Sequence, residues 1–278
     1  MKNYIEEHIL LNTLKRPVLL GLLLVSIMMN HGCAKNELYE DEVLVKNASL
    51  ISTDGPAKNP IEKTQVDIMI VYTSIAKDSA GGTQAMELLL NQIVSWTNLA
   101  YANSEIPLNL NLVHSAEVDY MGQGGFVDLA PLQNPNDGIL DEVHRMRDNH
   151  AADLVTLLKY PPGGAASFPV DASTGFSVIS MENPTWYFAH ETGHNFGGRH
   201  EQGYDFFVSP GVSVRTIMIG GGALLPNVIP NYSNPEVLYS EFNQIIGGPP
   251  IWGTPTGTED HNNAQIISSN RELVASYR

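Results

Sequence analysis

Between His190 and His200 the chain reads HETGHNFGGRH, three histidines and a glutamate at the spacing H-E-x-x-H-x-x-G-x-x-H. Residues four apart on a helix stack on one face, so His190 and His194 can share one metal ion while Glu191 leans beside it. Gly197 lets the helix stop. Three residues further on, His200 can add a third imidazole, which leaves one tetrahedral position of a zinc ion open for water. An open position marks a catalytic metal rather than a scaffolding one. With 9 His and 24 Gly among 278 residues, chance assembly of this spacing is on the order of one in ten thousand, whereas HExxH alone would say far less. A carboxylate third ligand at Glu201 is disfavoured because His200 already holds the expected place.

The flanking residues supply what such a helix needs. Asn183 is a good cap, Pro184 suits the first helical position and Gly197 suits the residue just past the end. Ahead of it, Phe176 to Met181 reads as a strand, preceded by a Gly, Ala, Ser and Pro-rich stretch over 163–175. Val66 to Tyr72 is a buried strand candidate, and residues 84–103 place Met86, Leu89, Leu90, Ile93, Trp96, Leu99 and Ala100 at helical period, so Trp96 is expected in the core. Leu108 to Val118 alternates as a half-buried strand does. A helix from Asp137 to His150, with Asp137 as its cap, and a buried strand from Asp153 to Leu158 follow. His114, His144 and His150 lack paired metal spacing and read as surface or structural.

The long zinc motif resembles that of the metzincin metallopeptidases. Arg215 to Gly220 (RTIMIG) looks like the methionine turn of that group, with Met218 packed beneath the histidines without binding the metal. Val66 to Thr73, Asn231 to Pro235 and the closing stretch from Gly257 to Arg278 are similar to bacterial reprolysin-like peptidases, particularly the peptidyl-Asp metallopeptidase-like branch. The resemblance covers about residues 64–278. It implies an α/β (α+β) domain with a mixed twisted sheet, an active-site helix and a smaller C-terminal lobe beginning after about residue 197. It also implies one catalytic zinc on His190, His194 and His200, Glu191 as general base, and structural roles for Gly197 and Met218. The strand at Phe176, Ser177 and Val178 would be the sheet edge that pairs with substrate, and Tyr232 and Ser233 would line the pocket beyond the scissile bond. A surface binding or adhesion protein that keeps this shell without turnover is the alternative, although it would have no need of Glu191.

Residues 1–33 have the form of an export signal: Lys15 and Arg16 precede an apolar run from Pro17 to Met29, too short to span a bilayer comfortably. Cys33, the only cysteine, falls where bacterial lipoproteins are cut and lipidated; Gly32 fits that pattern and Asn30 does not. Lipidation is favoured over ordinary cleavage with an incidental thiol, and a zinc-blocking propeptide cysteine is less favoured because no matching motif surrounds it. The expected location is a bacterial cell surface or outer membrane, otherwise a secreted or periplasmic one, with a lipid on Cys33 the sole membrane link. Residues 34–63 have the composition of a tether or short pro-segment. One cysteine forms no internal disulfide, so core and metal must hold the domain.

The resemblance implies a polypeptide substrate, and a monomer is expected. The formal charge of −15 would repel phosphate backbones, which argues against nucleic acid as a partner. It also argues mildly against acidic substrates unless a local cation receives them; Arg199 and Arg215, which flank the motif and the turn, are the candidates. Calcium is not indicated, since residues 134–142 depart from the EF-hand spacing.

Overall fold

The computed structural model describes residues 62–124, 126–160, 163–166, 170–209, 211–220, 227–239 and 253–278. The expected export signal, Cys33 and nearly all of the tether lie outside them. The described residues fall within one compact unit, Lys58–Arg278. Among them no helix is long and apolar enough to cross a membrane.

The run TQVDIMIVYT forms β1 (Thr64–Thr73), in which Ile68, Met69, Ile70 and Val71 are all fully buried. A strand apolar on both faces needs cover on both, as parallel strands in α/β folds have. Val66, Ile68, Ile70 and Tyr72 point into one core cluster, and Met69 and Val71 into another on the opposite face. Each such Ile or Val contributes about 1.5–3 kcal/mol before the entropy of ordering the chain is counted.

After β1 come α1 (Ser74–Ala80), α2 (Thr83–Asn103), β2 (Leu108–Val118), α3 (Phe126–Gln133), α4 (Asp141–Asn149), β3 (Leu154–Lys159), β4 (Ala165–Ala166), β5 (Phe176–Ser180) and α5 (Pro184–Asn195). The sheet runs β2-β1-β3-β5-β4, parallel except for β4, which is antiparallel to β5. α2 buries Met86, Leu90, Ile93, Ala100 and Tyr101, while Trp96 is only partly buried and Leu99 lies half exposed at the rim of the apolar stripe.

Three expectations need correction. The fourth helix begins at Asp141 rather than Asp137: Leu140 takes a left-handed conformation (φ 59°), and Asp141 Oδ1 accepts from the backbone N–H of Asp137 and Gly138, so those residues form a turn. α3 was not anticipated; it carries Pro131 inside it, a residue that removes a helical donor. Finally, β5 is not the sheet edge. Ala165 pairs with Val178 and Ala166 with Ser177, so β4 is the edge strand and Phe176, Ser177 and Val178 are buried behind it.

Beyond α5 regular structure thins. A hairpin of β6 (Asp205–Ser209) and β7 (Val212–Arg215) and a two-residue pair of β8 (Leu238–Tyr239) and β9 (Thr254–Pro255) precede α6 (Asn263–Val274), which packs Ile267 and Val274 into the cluster beneath α2 and α5. The result is the α/β zincin architecture that the resemblance implies.

Candidate metal centre

α5 carries the first two histidines and is held from every side. The Asn183 side chain accepts from Trp186 N–H at its start, and Asn195 donates to the carbonyl of Phe176 on β5 at its end. In between, Tyr232 donates its hydroxyl to Ala189 O at 2.7 Å. Gly197 then takes φ 88°, and the N–H groups of Gly197 and Gly198 return to His194 O and Gly193 O, a helix ending that a residue with a Cβ would strain. The extended Arg199 leads into a 3-10 turn, His200–Gln202.

The three imidazoles converge. His200 Nε2 lies 2.9 Å from His190 Nε2 and 3.0 Å from His194 Nε2, and the candidate ligand atoms all lie within 4.8 Å of one another. His190 Nδ1 is 2.8 Å from Ile217 O and His194 Nδ1 is 2.8 Å from Gly198 O. A carbonyl only accepts, so both Nδ1 atoms carry the proton and both Nε2 atoms turn a lone pair to the centre. The single proton that His200 Nε2 could offer cannot satisfy both. A cation can, and three imidazole nitrogens with one side open suit zinc. Burial first, and then the neighbouring imidazoles, push His190 down to about 3; burial pushes His194 down to about 4, so both rings are neutral ligands at neutral pH.

Beneath the ligands lies the stretch Thr216–Gly220. Met218 is fully buried, and its Sδ would stand only 2.5 Å from a Cβ placed on Gly193, so the glycine inside the motif makes room for the methionine. A Cβ on Gly220 would lie 3.1 Å from His200 Nδ1. The turn thus floors the site with a side chain and supplies His190 with its acceptor, Ile217 O. That carbonyl, like Gly198 O, leaves no trace in the residue types and was not foreseen.

Glu191 faces the same centre. It is 5% exposed, and burial alone pushes its carboxyl up to about 8. A cleft of about 570 Å³ is lined by Gly164, Ala165, Ala166, His190, Glu191, His194, Arg199, His200 and Glu201. Edge strand and ligands therefore share one opening. Gly164 was also unforeseen: any Cβ there would collide with Glu191 Oε1 and with the Tyr187 ring.

Five expected substrate contacts are not where they were expected. Ser177 and Val178 stand behind β4, with Ser177 Oγ bonded to Thr156 Oγ1 at 2.8 Å. Tyr232 is buried against the Tyr101 ring and serves α5, and Ser233 Oγ bonds Gln202 O at 2.6 Å and Asn263 N–H at 3.0 Å. Phe176 is likewise buried, under the Arg147 guanidinium. These residues shape the site from behind. Of the two candidate cations, Arg215 is engaged with Asp205 at 2.9 Å on the hairpin, and only Arg199 reaches the cleft. His114 and His150 stack on each other, and His144 bonds Leu132 O, all apart from the triad.

A mixed sheet whose edge faces a helix-borne histidine triad over a methionine turn defines a metzincin-type metallopeptidase fold. The profile described as Metallo-peptidase family M12B Reprolysin-like matches residues 89–201, so the chain is similar to that family over the stretch that ends in the histidine motif. Proteins named peptidyl-Asp metalloendopeptidase from Stenotrophomonas maltophilia and Xanthomonas campestris pv. campestris are 28% and 29% identical over 233 and 231 residues, each alignment covering 77% of this chain and 52% of the relative. One from Pseudomonas aeruginosa is 26% identical over 258 residues, covering 77% and 40%. The chain thus spans about half the length or less of these relatives. A solved structure described as "Structure of a chaperone-substrate complex" superposes with a TM-score of 0.61 at 21% identity over 78% of this chain and 36% of that one, a likeness of fold.

Proposed function

We propose that this chain is an exported zinc endopeptidase that hydrolyses extracellular polypeptides, with Glu191 as general base. The observation that carries the reading is the convergence of three imidazole Nε2 atoms in a cleft that also holds Glu191 and the edge of β4. Bound to His190, His194 and His200, zinc would supply a water acidified from 15.7 to about 7 and positive charge for a carbonyl oxygen. Glu191 takes the water's proton on a carboxylate oxygen and returns it to the departing amine. A cation at the centre would draw the Glu191 carboxyl down from about 8 toward the neutral range in which it can do both. Ile217 O and Gly198 O hold the imidazoles in the ligating tautomer throughout.

Among the described residues β4 pairs on one side with β5 and offers the other to an extended peptide by strand addition. The names of the relatives point to cleavage beside aspartate, and we extend an acidic preference to this chain. Export rests on the apolar run from Pro17 to Met29, and surface attachment on Cys33 after it.

Hydrolysis of an unfolded protein, with and without chelator, tests the reading. Wild type should cleave, lose activity to chelator and regain it with zinc. Glu191→Gln should keep its zinc and lose activity by about 10²–10⁴-fold. Equal turnover in both would remove the base, and stoichiometric zinc without cleavage would favour a binding protein built on the same shell.

A further inference from the structure

A second cavity of about 640 Å³ adjoins the cleft, lined by Val170, Gly197, Arg199, Glu201, Gln202, Ile266 and Asn270. Arg199 and Glu201 line both, so they stand at the junction. Arg199 is the only cation lining either cavity among the described residues. Other basic side chains are committed elsewhere: Lys159 to Asp128 inside the fold, Arg147 to the carbonyls of Ala152 and Ala172, Arg278 to Asp148.

The junction is built in an unequal way. The Arg199 main chain is clamped in both directions by one side chain, Asn263, which accepts from Arg199 N–H at 2.8 Å and donates to Arg199 O at 3.1 Å. Its guanidinium, by contrast, meets among the described residues the carboxylate of Glu201 at 3.8 Å, with the two side chains 62% and 69% exposed. A pair so long and so wet is worth little, so an incoming carboxylate can replace Glu201 at small cost. A guanidinium also offers a carboxylate two parallel N–H bonds, which a point charge cannot.

We propose that the Arg199 guanidinium receives an acidic side chain of the polypeptide near the scissile bond, and that the cavity bounded by Gly197, Val170 and Ile266 holds the chain segment bearing it. The inference rests on the peptidase reading and goes further by assigning selectivity to one residue. It also accounts for how a protein of charge −15 accepts an acidic substrate: the cation is local and anchored, so it acts at contact distance where the overall field is screened.

The test compares peptides identical except for Asp or Asn, scanned through the positions flanking the cleaved bond. Zinc-loaded wild type should show a kcat/KM ratio for Asp over Asn of about tenfold or more at one position, the scale of a charge-assisted hydrogen bond. Arg199→Gln should bring that ratio close to one, Arg199→Lys should keep part of it, and Arg199→Glu should favour Lys there. A ratio unchanged in Arg199→Gln overturns the proposal. Binding of the same peptides to zinc-loaded Glu191→Gln, with and without Arg199→Gln, reads the contact without turnover. An inert wild type that still binds Asp over Asn through Arg199 would sink the peptidase reading alone, whereas a cleaving enzyme indifferent to Arg199 would sink this inference alone.

Discussion

The two halves that meet at the histidine triad are held together by different physics. The sheet half, from β1 to α5, rests on two large apolar clusters, one on each face of parallel strands. The part after Gly198 has a small cluster of its own around Phe206, Val208 and Tyr239. It adds Ile217, Met218, Tyr232, Ile267 and Val274 to the first of those clusters, and single polar side chains tie its loops to backbone: Asn263 to Arg199, Asn231 to Asn103, Asn234 to Ser104, Thr256 to Asn234. Burial is tolerant of which apolar residue fills a place, whereas a side-chain clamp depends on one donor and one acceptor. His190 and His194 come from the tolerant half, and His200 and Ile217 O from the exacting one. A metal bridging them should therefore stabilise the second part most.

The largest effect should come from the exception within the sheet half. Lys159, at the end of β3, lies 3.4 Å from Asp128, both side chains fully buried, and Asp128 also accepts from Tyr120, Gln123 and Gly124. Asp128→Asn should cost about 3–5 kcal/mol in urea unfolding, with chelator or without, because it leaves a buried ammonium without its carboxylate. Desolvation alone would raise the Asp128 carboxyl, but its hydrogen bonds and Lys159 together hold it below the ordinary 3.8. Stability from a depressed carboxyl is present above that value and lost as pH falls through the lower folded one. Wild type should then lose stability below about pH 4 more steeply than Asp128→Asn, and parallel acid limbs would contradict this.

Next in size, Gly193→Ala pushes a methyl onto Met218 and should cost about 1–3 kcal/mol. If the methionine floor sets the triad, zinc affinity measured by competition with a chromophoric chelator should fall with it. Asn263→Ala removes both clamps on Arg199 and should cost about 1–3 kcal/mol. Added zinc should recover more of this loss than of that in Asp128→Asn, and equal recovery would erase the contrast between the halves. The smallest change is Arg215→Ala, which breaks a partly exposed pair with Asp205 and should cost about 0.2–1 kcal/mol, leaving the Asp over Asn ratio as in wild type.

Legibility followed the same division. Strands β1, β2, β3 and β5 and helix α2 could be located to within a residue or two because apolar runs and periods record burial. α3 escaped since its burial beside β4 and β5 overrides a proline in its middle, and α4 started late because Asp141, not Asp137, organises the turn. The edge strand was misplaced for a plainer reason. Two alanines in a glycine-rich stretch carry no periodic signal, so β4 is recognisable only once β5 stands beside it.

Local spacing on a helix followed by a glycine stop was enough to single out His190, His194 and His200 as candidate ligands with Glu191 beside them, since such geometry needs few residues, while Met218 was singled out through the resemblance of RTIMIG to a methionine turn. Which carbonyls orient the imidazoles, why Gly164 and Gly193 must lack a side chain, that Tyr232 and Ser233 brace rather than line, and that Arg199 rather than Arg215 reaches the cleft were decided by tertiary structure. Those facts depend on which distant backbone arrives within 3 Å, and no pattern along one segment records the approach of another.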